Sequence, residues 1–219
     1  MSAPARATNA ARELPRGRHE LTRAAVADSQ RSRLLDAMAE VVADKGYVAA
    51  TVGDVVAAAA VSRRTFYEQF EHKEACFLAA HQAGLELLLR EIRDALAPLP
   101  RDDWRGRAQA SIEAYLRTLA ERPAAAWAFT VEALGAGPHA LEQRAHVLAR
   151  WVVQWRDLHE MARRQDRRVR EVSDDELTVL VGGIEELVRE CLRSSGADKL
   201  PQLAPRITDV ALSTLAGRP

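Results

Sequence analysis

Thr51-Val52-Gly53-Asp54-Val55-Val56-Ala57-Ala58-Ala59-Ala60-Val61-Ser62-Arg63-Arg64-Thr65-Phe66-Tyr67-Glu68-Gln69-Phe70 is the stretch that sets the architecture. Thr51 followed three residues later by Asp54 is a capping box, in which each side chain satisfies the other's free backbone N–H at a helix start. The apolar run behind it ends near Ala60-Val61, and Ser62 is the next cap. Phe66 and Phe70, four apart, share one face with Val61. Two short helices separated by a tight turn are predicted, the second with an apolar inner face and a polar outer one.

Upstream, over residues 30–45, Leu34, Leu35, Met38, Val41 and Val42 form the stripe of an amphipathic helix. Gly46 ends it, because glycine accepts the left-handed conformation of a helix C-terminus, and Tyr47 or Val48 can fold back on the last turn. Downstream, a long apolar pattern from Lys73 to Leu96 closes at Pro98 and Pro100. Further helices are predicted from Asp102 or Asp103 to about 121, over 123–134, over 138–165, from the Ser173/Glu176 capping box to about 193, and from Pro201 or Pro205 to 215. A basic loop is expected over 163–170. No alternating strand pattern occurs, so the fold class is all-α.

A short helix, a turn and a second capped helix with a basic, hydrogen-bonding outer face match the helix-turn-helix plan. In that geometry Arg63 or Arg64 can donate in a fork to guanine. Gln69 can pair with adenine, Glu68 can accept from cytosine, and the Thr65 methyl can touch thymine. Thr51, Ser62, Tyr67 and Lys73 lie at helix starts or edges, where their donors suit phosphate oxygens. Taken singly, Arg63-Arg64 is a solvated pair and Tyr67 a packed surface aromatic; the joint pattern carries the reading.

Residues 34–81, including Gly46-Tyr47, Thr51-Val52-Gly53-Asp54-Val55, Val61-Ser62-Arg63-Arg64-Thr65-Phe66-Tyr67, Gln69-Phe70 and Lys73-Glu74, resemble the DNA-binding domain of the TetR/AcrR transcriptional regulators. The resemblance implies a three-helix head over 29–75 and a helical ligand-binding and dimerisation domain over 76–219. It also implies phosphate contacts at Thr51, Tyr67 and Lys73 and groove-facing Arg63, Arg64, Thr65 and Gln69. The family usually has Gly where this chain has Ala60. If that position is left-handed, alanine costs roughly 1 kcal/mol there. Gly53 inside the second helix is a similar small local cost.

Residues 1–28 lack periodicity and are expected to form a flexible basic arm, with two readings open. Arg16 and Arg18 around Gly17 suit insertion into a DNA minor groove, or the segment is a solubilising tail. In the second domain Trp151, Trp155 and Leu158 share a helix face, and Trp127 lies beside Phe129 in sequence. Trp127, Phe129, Trp151 and Trp155 either line an apolar effector pocket or form plain core. His81, Glu132, His146, His159 and Cys191 are polar candidates for orienting a ligand. Gly182-Gly183 stands inside a helix, where close approach by another helix would explain it. By the resemblance this helix and the last one form a homodimer interface, so a palindromic operator on double-stranded DNA is expected.

The composition excludes much else. The chain has 219 residues, 47% of them apolar, which suffices for a buried core and leaves no membrane-length apolar run. Cys76 and Cys191 make no metal or redox spacing, and with no apolar segment at the start a cytoplasmic location is expected. No cofactor or metal is expected: His159-Glu160 lacks a second histidine, no Glu-x-x-His occurs, and no glycine-rich phosphate loop is present. An enzyme is therefore disfavoured. The 31 basic side chains equal the 31 acidic ones, and within residues 1–80 the eleven Lys and Arg nearly balance the ten Asp and Glu. Any attraction to DNA must be arranged by face, and few phosphates should be neutralised per subunit. The function expected is a ligand-responsive DNA-binding regulator, acting as a repressor released by a small-molecule effector. The alternative is a small-molecule-binding helical protein with a degenerate DNA head.

Overall fold

The computed structural model describes residues 23–216, and among these nine α-helices and two 3-10 segments form the fold without a strand. The head is α1 (Arg23–Lys45), α2 (Val52–Ala59) and α3 (Arg63–Gln69). α4 (Lys73–Leu96) leads away from it to α5 (Trp104–Glu121), α6 (Pro123–Thr130), α7 (Pro138–Gln165), α8 (Asp174–Ser194) and α9 (Ala204–Ala216). The 3-10 segments are Glu132–Gly135 and Ala197–Leu203. No helix among the described residues is long and apolar enough to cross a membrane.

Two boundaries differ from the sequence expectation. α1 begins at Arg23, so residues 23–28, expected in the arm, are helical; Ala24, Ala25 and Ala27 carry high helix propensity without any apolar stripe to announce it. Arg16 and Arg18 lie outside the described residues. The helix expected over 123–134 stops at Thr130 and continues as the 3-10 turn 132–135.

Gly46 has φ +79°, and its N–H donates to Val42 O at 2.9 Å, as expected of a helix stop. Leu34, Met38 and Val42 of α1, Val55 of α2, Phe66 of α3 and Phe77 of α4 are fully buried together. This core does not close at residue 75. Ala128 of α6, Ala133 and Ala136 of the 3-10 segment and the turn after it, and Ala140 of α7 belong to the same cluster, with Phe129 packed against it. Small residues there let the second domain approach the back of the head closely. A second core joins α5, α7, α8 and α9 through Trp104, Leu116, Trp155, Leu177, Val188 and Ile207.

Among the described residues, no atom lies within 4 Å of where a Cβ on Gly182 or Gly183 would stand. They lie on an outer face of α8 with Val179 (75% exposed), beside Val210 of α9 (53% exposed).

Candidate functional site

The turn of the helix-turn-helix has both expected caps, and the condition raised for Ala60 is met. Thr51 and Asp54 form the reciprocal capping box, and Lys45 Nζ lies 2.5 Å from Asp54 Oδ1. These contacts, Lys45 first and then the Thr51 hydroxyl and N–H, hold the Asp54 carboxyl down at about 2. α2 ends in a Schellman motif: Val61 N–H donates to Val56 O at 3.1 Å and Ala60 N–H to Ala57 O at 3.3 Å. Ala60, with φ 51° and ψ 48°, is left-handed, and among the described residues no other non-glycine has a positive φ. The turn therefore keeps its shape with alanine in place of glycine, at a cost of roughly 1 kcal/mol.

Ser62 then caps α3, its hydroxyl accepting Thr65 N–H at 3.0 Å and lying 2.9 Å from Thr65 Oγ1. Phe66 and Phe70 are buried, as expected, with their rings 5.7 Å apart. The opposite face is open. Arg63, Arg64 and Glu68 are exposed, and Tyr67 stands 58% exposed, edge-on to Phe66. Arg64 Nε rests on Glu68 Oε1 at 2.9 Å, in a pair whose arginine side chain is 89% exposed. Such a surface pair holds little energy and gives way readily to a phosphate or base. The Arg63 guanidinium lies over α2, where a Cβ on Gly53 would meet Arg63 Nη2 at 3.1 Å. Gly53 thus makes room for that arginine, which accounts for its place in a helix interior.

Lys73 differs from a free phosphate donor. Its Nζ donates to Tyr47 O at 2.8 Å and Ala50 O at 2.9 Å and sits 4.3 Å above the Tyr47 ring. It splints the α1–α2 turn and retains one N–H of its three. Two braces escaped the sequence reading. Arg31 lies over the Phe70 ring at 4.5 Å, with Nη1 3.4 Å from Gln69 O, and Arg33 Nη1 reaches Ala60 O at 3.4 Å. The first helix therefore grips both the strained turn and the end of α3.

Of the expected pocket residues, Trp151, Trp155 and Phe129 line two concavities of the helical domain, and Trp127 packs against the second core. One cavity is bounded by Ile112, Trp151, Trp155 and Leu158. A second is bounded by His81, Leu88, Phe129, Arg144 and Trp151. Trp127 packs on the second core instead, because its helix turns it away from Phe129. Tyr115, Trp151 and Glu185 line both cavities. Tyr115 Oη donates to Glu185 Oε1 at 2.9 Å, and Arg144 Nη2 is 4.0 Å from Glu185 Oε2. Burial, chiefly, with the Glu185 charge beside it, raises the Tyr115 phenol well above its ordinary range.

Among the polar candidates, Glu132 faces neither cavity; its carboxylate accepts Tyr47 N–H. His159 Nδ1 lies 3.1 Å from Leu215 O, and burial lowers its basicity. His81 does face the second cavity. Among the described residues no group of three or more His, Cys, Asp or Glu is placed to hold a metal.

A capped second helix with an open basic face, carried on a larger helical domain, is the arrangement of a helix-turn-helix head joined to a helical body. Residues 34–80 match the profile of the bacterial regulatory proteins of the tetR family. The chain is 35% identical over 88 residues to the HTH-type transcriptional activator FasR of Mycolicibacterium smegmatis, a stretch covering 40% of this chain and 39% of that protein. The fold is that of the fatty acid degradation regulator FadR from Bacillus halodurans, with TM-score 0.73 and 19% identity over 86% of this chain and 99% of that one. It is equally that of the transcriptional regulator FadR from Bacillus subtilis in complex with stearoyl-CoA, with TM-score 0.74 and 15% identity over 84% and 98%. Each of these three proteins is described as a regulator.

Proposed function

We propose that the protein acts in the cytoplasm as a homodimeric repressor that occupies a palindromic operator and leaves it when a small apolar effector fills the helical domain. The observation that carries the reading is the aim of α3: Phe66 and Phe70 are buried while Arg63, Arg64 and Tyr67 stand open on the other face. Arg63, Arg64, Thr65 and Gln69 read base edges, and Thr51, Ser62, Tyr67 and the remaining N–H of Lys73 hold phosphates. The undistorted turn at Ala60 favours a working head over a degenerate one. Trp151, Trp155 and Phe129 give the effector apolar walls, and the stearoyl-CoA carried by the Bacillus subtilis neighbour supports a chain-like ligand.

The open α8–α9 face, with Gly182, Gly183, Val179 and Val210, supports a two-fold dimer, which would present two α3 helices to successive major grooves. The head's near-neutral balance makes non-specific binding weak and operator binding selective. An electrophoretic shift on the DNA flanking its own gene tests the reading, with Arg64→Ala as the control. A specific complex weakened by that substitution is expected. No complex at low salt would leave only a ligand-binding protein with a silent head. Deleting residues 1–22 tests the arm: an unchanged slope of affinity against salt would remove Arg16 and Arg18 from the interface.

A further inference from the structure

The two cavities differ in chemistry. The one bounded by Ile112, Trp155 and Leu158 is apolar apart from Ser111, Gln154 and the shared Glu185 and Tyr115. The one beside α4 takes His81, Arg122 and Arg144 into its wall, and Glu185 is the one carboxylate lining either. That carboxylate already accepts from Tyr115 and faces Arg144. Two guanidiniums against one engaged carboxylate leave the second cavity with an excess of positive charge.

Unpartnered buried polar atoms point the same way. His81 is 7% exposed, and its Nδ1 has no hydrogen-bond partner; the Arg144 Nε, also buried, has none. Buried polar groups are nearly always hydrogen-bonded, so two such atoms in the wall of one cavity mark a place for a polar ligand group. The His81 ring is stacked on Phe129 at 5.1 Å, which fixes its orientation. Burial lowers its pKa to about 4, so at neutral pH it is an uncharged imidazole able to donate from one nitrogen.

We propose that the effector is a long-chain carboxylic acid. Its carboxylate is held by Arg144 and His81 in the second cavity, and its chain runs past Trp151 into the cavity lined by Trp155 and Leu158. The proposal rests on the effector reading above and specifies the end group. The site lies between α4, which leads out of the head, and α7: His81 is on α4, and Arg144 follows Gln143, whose Nε2 donates to Leu78 O of α4 at 3.1 Å. A carboxylate drawn to Arg144 pulls on α7 beside that contact.

The test uses the full chain and four probes sharing one tail, each below its micelle concentration: dodecanoate, methyl dodecanoate, dodecylamine and dodecanoyl-CoA. Calorimetry is expected to show dodecanoate binding at least about tenfold more tightly than the ester and the amine, the scale of one charge-assisted hydrogen bond. It should also bind more tightly than the thioester, whose anionic phosphates lie at the far end of a bulky group. Arg144→Met should abolish the preference for the acid over the ester, Arg144→Lys should keep part of it, and His81→Phe should reduce it. Equal binding of acid and ester by the unaltered protein overturns the proposal whether or not a variant folds. So does tighter binding of the amine or the thioester, a preference that survives in folded Arg144→Met, or failure of all four probes to bind. Operator binding without any probe is measured separately, so loss of the carboxylate anchor and loss of the regulator reading give different results.

Discussion

Glu132 Oε2 accepts the backbone N–H of Tyr47 at 2.9 Å, joining residues 85 positions apart. The bond ties the 3-10 turn of the second domain to the loop between α1 and α2. A Cβ on Gly46 would stand 3.2 Å from the same oxygen, so this glycine serves both the left-handed turn and the approach of the carboxylate. His139 adds a second tie, with Nδ1 2.9 Å from Glu74 Oε1 at the start of α4. The head is thereby held by a segment that lies, in sequence, between the cavity-lining residues Thr130 and Arg144.

Glu132→Ala is expected to destabilise the protein by about 1–2 kcal/mol, the range for leaving a part-buried N–H without its partner. Urea denaturation measures this. An unaltered midpoint would mean that water replaces the carboxylate at no loss.

At the strained turn, Ala60→Gly is expected to raise stability by about 0.5–1 kcal/mol, and Ala60→Val to lower it by more, since a β-branched side chain is least tolerated at positive φ. The same urea midpoints decide. If Ala60→Gly proved neutral, relief of strain would be matched by the added freedom of the unfolded chain.

Acid should act on stability in two windows. His81 has a folded pKa of about 4 against an ordinary 6.5, so the unfolded chain takes up its proton first and stability falls as pH drops from 6.5 to 4. Asp54 and Glu176, both held at about 2 within capping boxes, have folded values below their ordinary 3.8 and 4.5. Their contribution is complete above those ordinary values and is lost as pH falls toward 2. Denaturation across pH 3–8 should show His81→Phe reducing the slope of the upper window, which His159 shares, and Asp54→Asn reducing only the lower.

The glycine pair on α8 gives a test of assembly. Gly183→Arg has open space in the protomer and better helix propensity by up to about 1 kcal/mol, so the isolated chain should fold at least as well. Sedimentation equilibrium is expected to show a monomer with weakened operator binding. A dimer that persists would move the interface elsewhere.

What could be read in the sequence were features confined to a few neighbouring residues. The Thr51–Asp54 and Ser173–Glu176 boxes, the Ser62 cap and the stop at Gly46 all follow from rules that span at most five positions, whereas the left-handed Ala60 was raised only by the family resemblance. The braces from Arg31 and Arg33 lie 38 and 27 positions from their acceptors, and the acceptors are backbone carbonyls, which no side-chain pattern announces. Lys73 was legible as a cation at a helix start, but its two acceptors in the α1–α2 turn were not. Spacing marked Trp151 and Trp155 as neighbours on one face. Whether a face meets a void or another helix depends on the partner, and on that point Trp127 and Phe129 parted.

The core shared between the head and residues 128–140 has a bearing on protein engineering. Regulators are often recombined by grafting one chain's reader onto another's sensor, a strategy that presumes a clean seam between them. Here a cut after residue 75 would strip Phe66 and Met38 of the alanine platform against which their cluster packs, and would sever Tyr47 from Glu132. A transplantable reader would have to be discontinuous in sequence, carrying α6, the 3-10 turn and the first turn of α7 along with it.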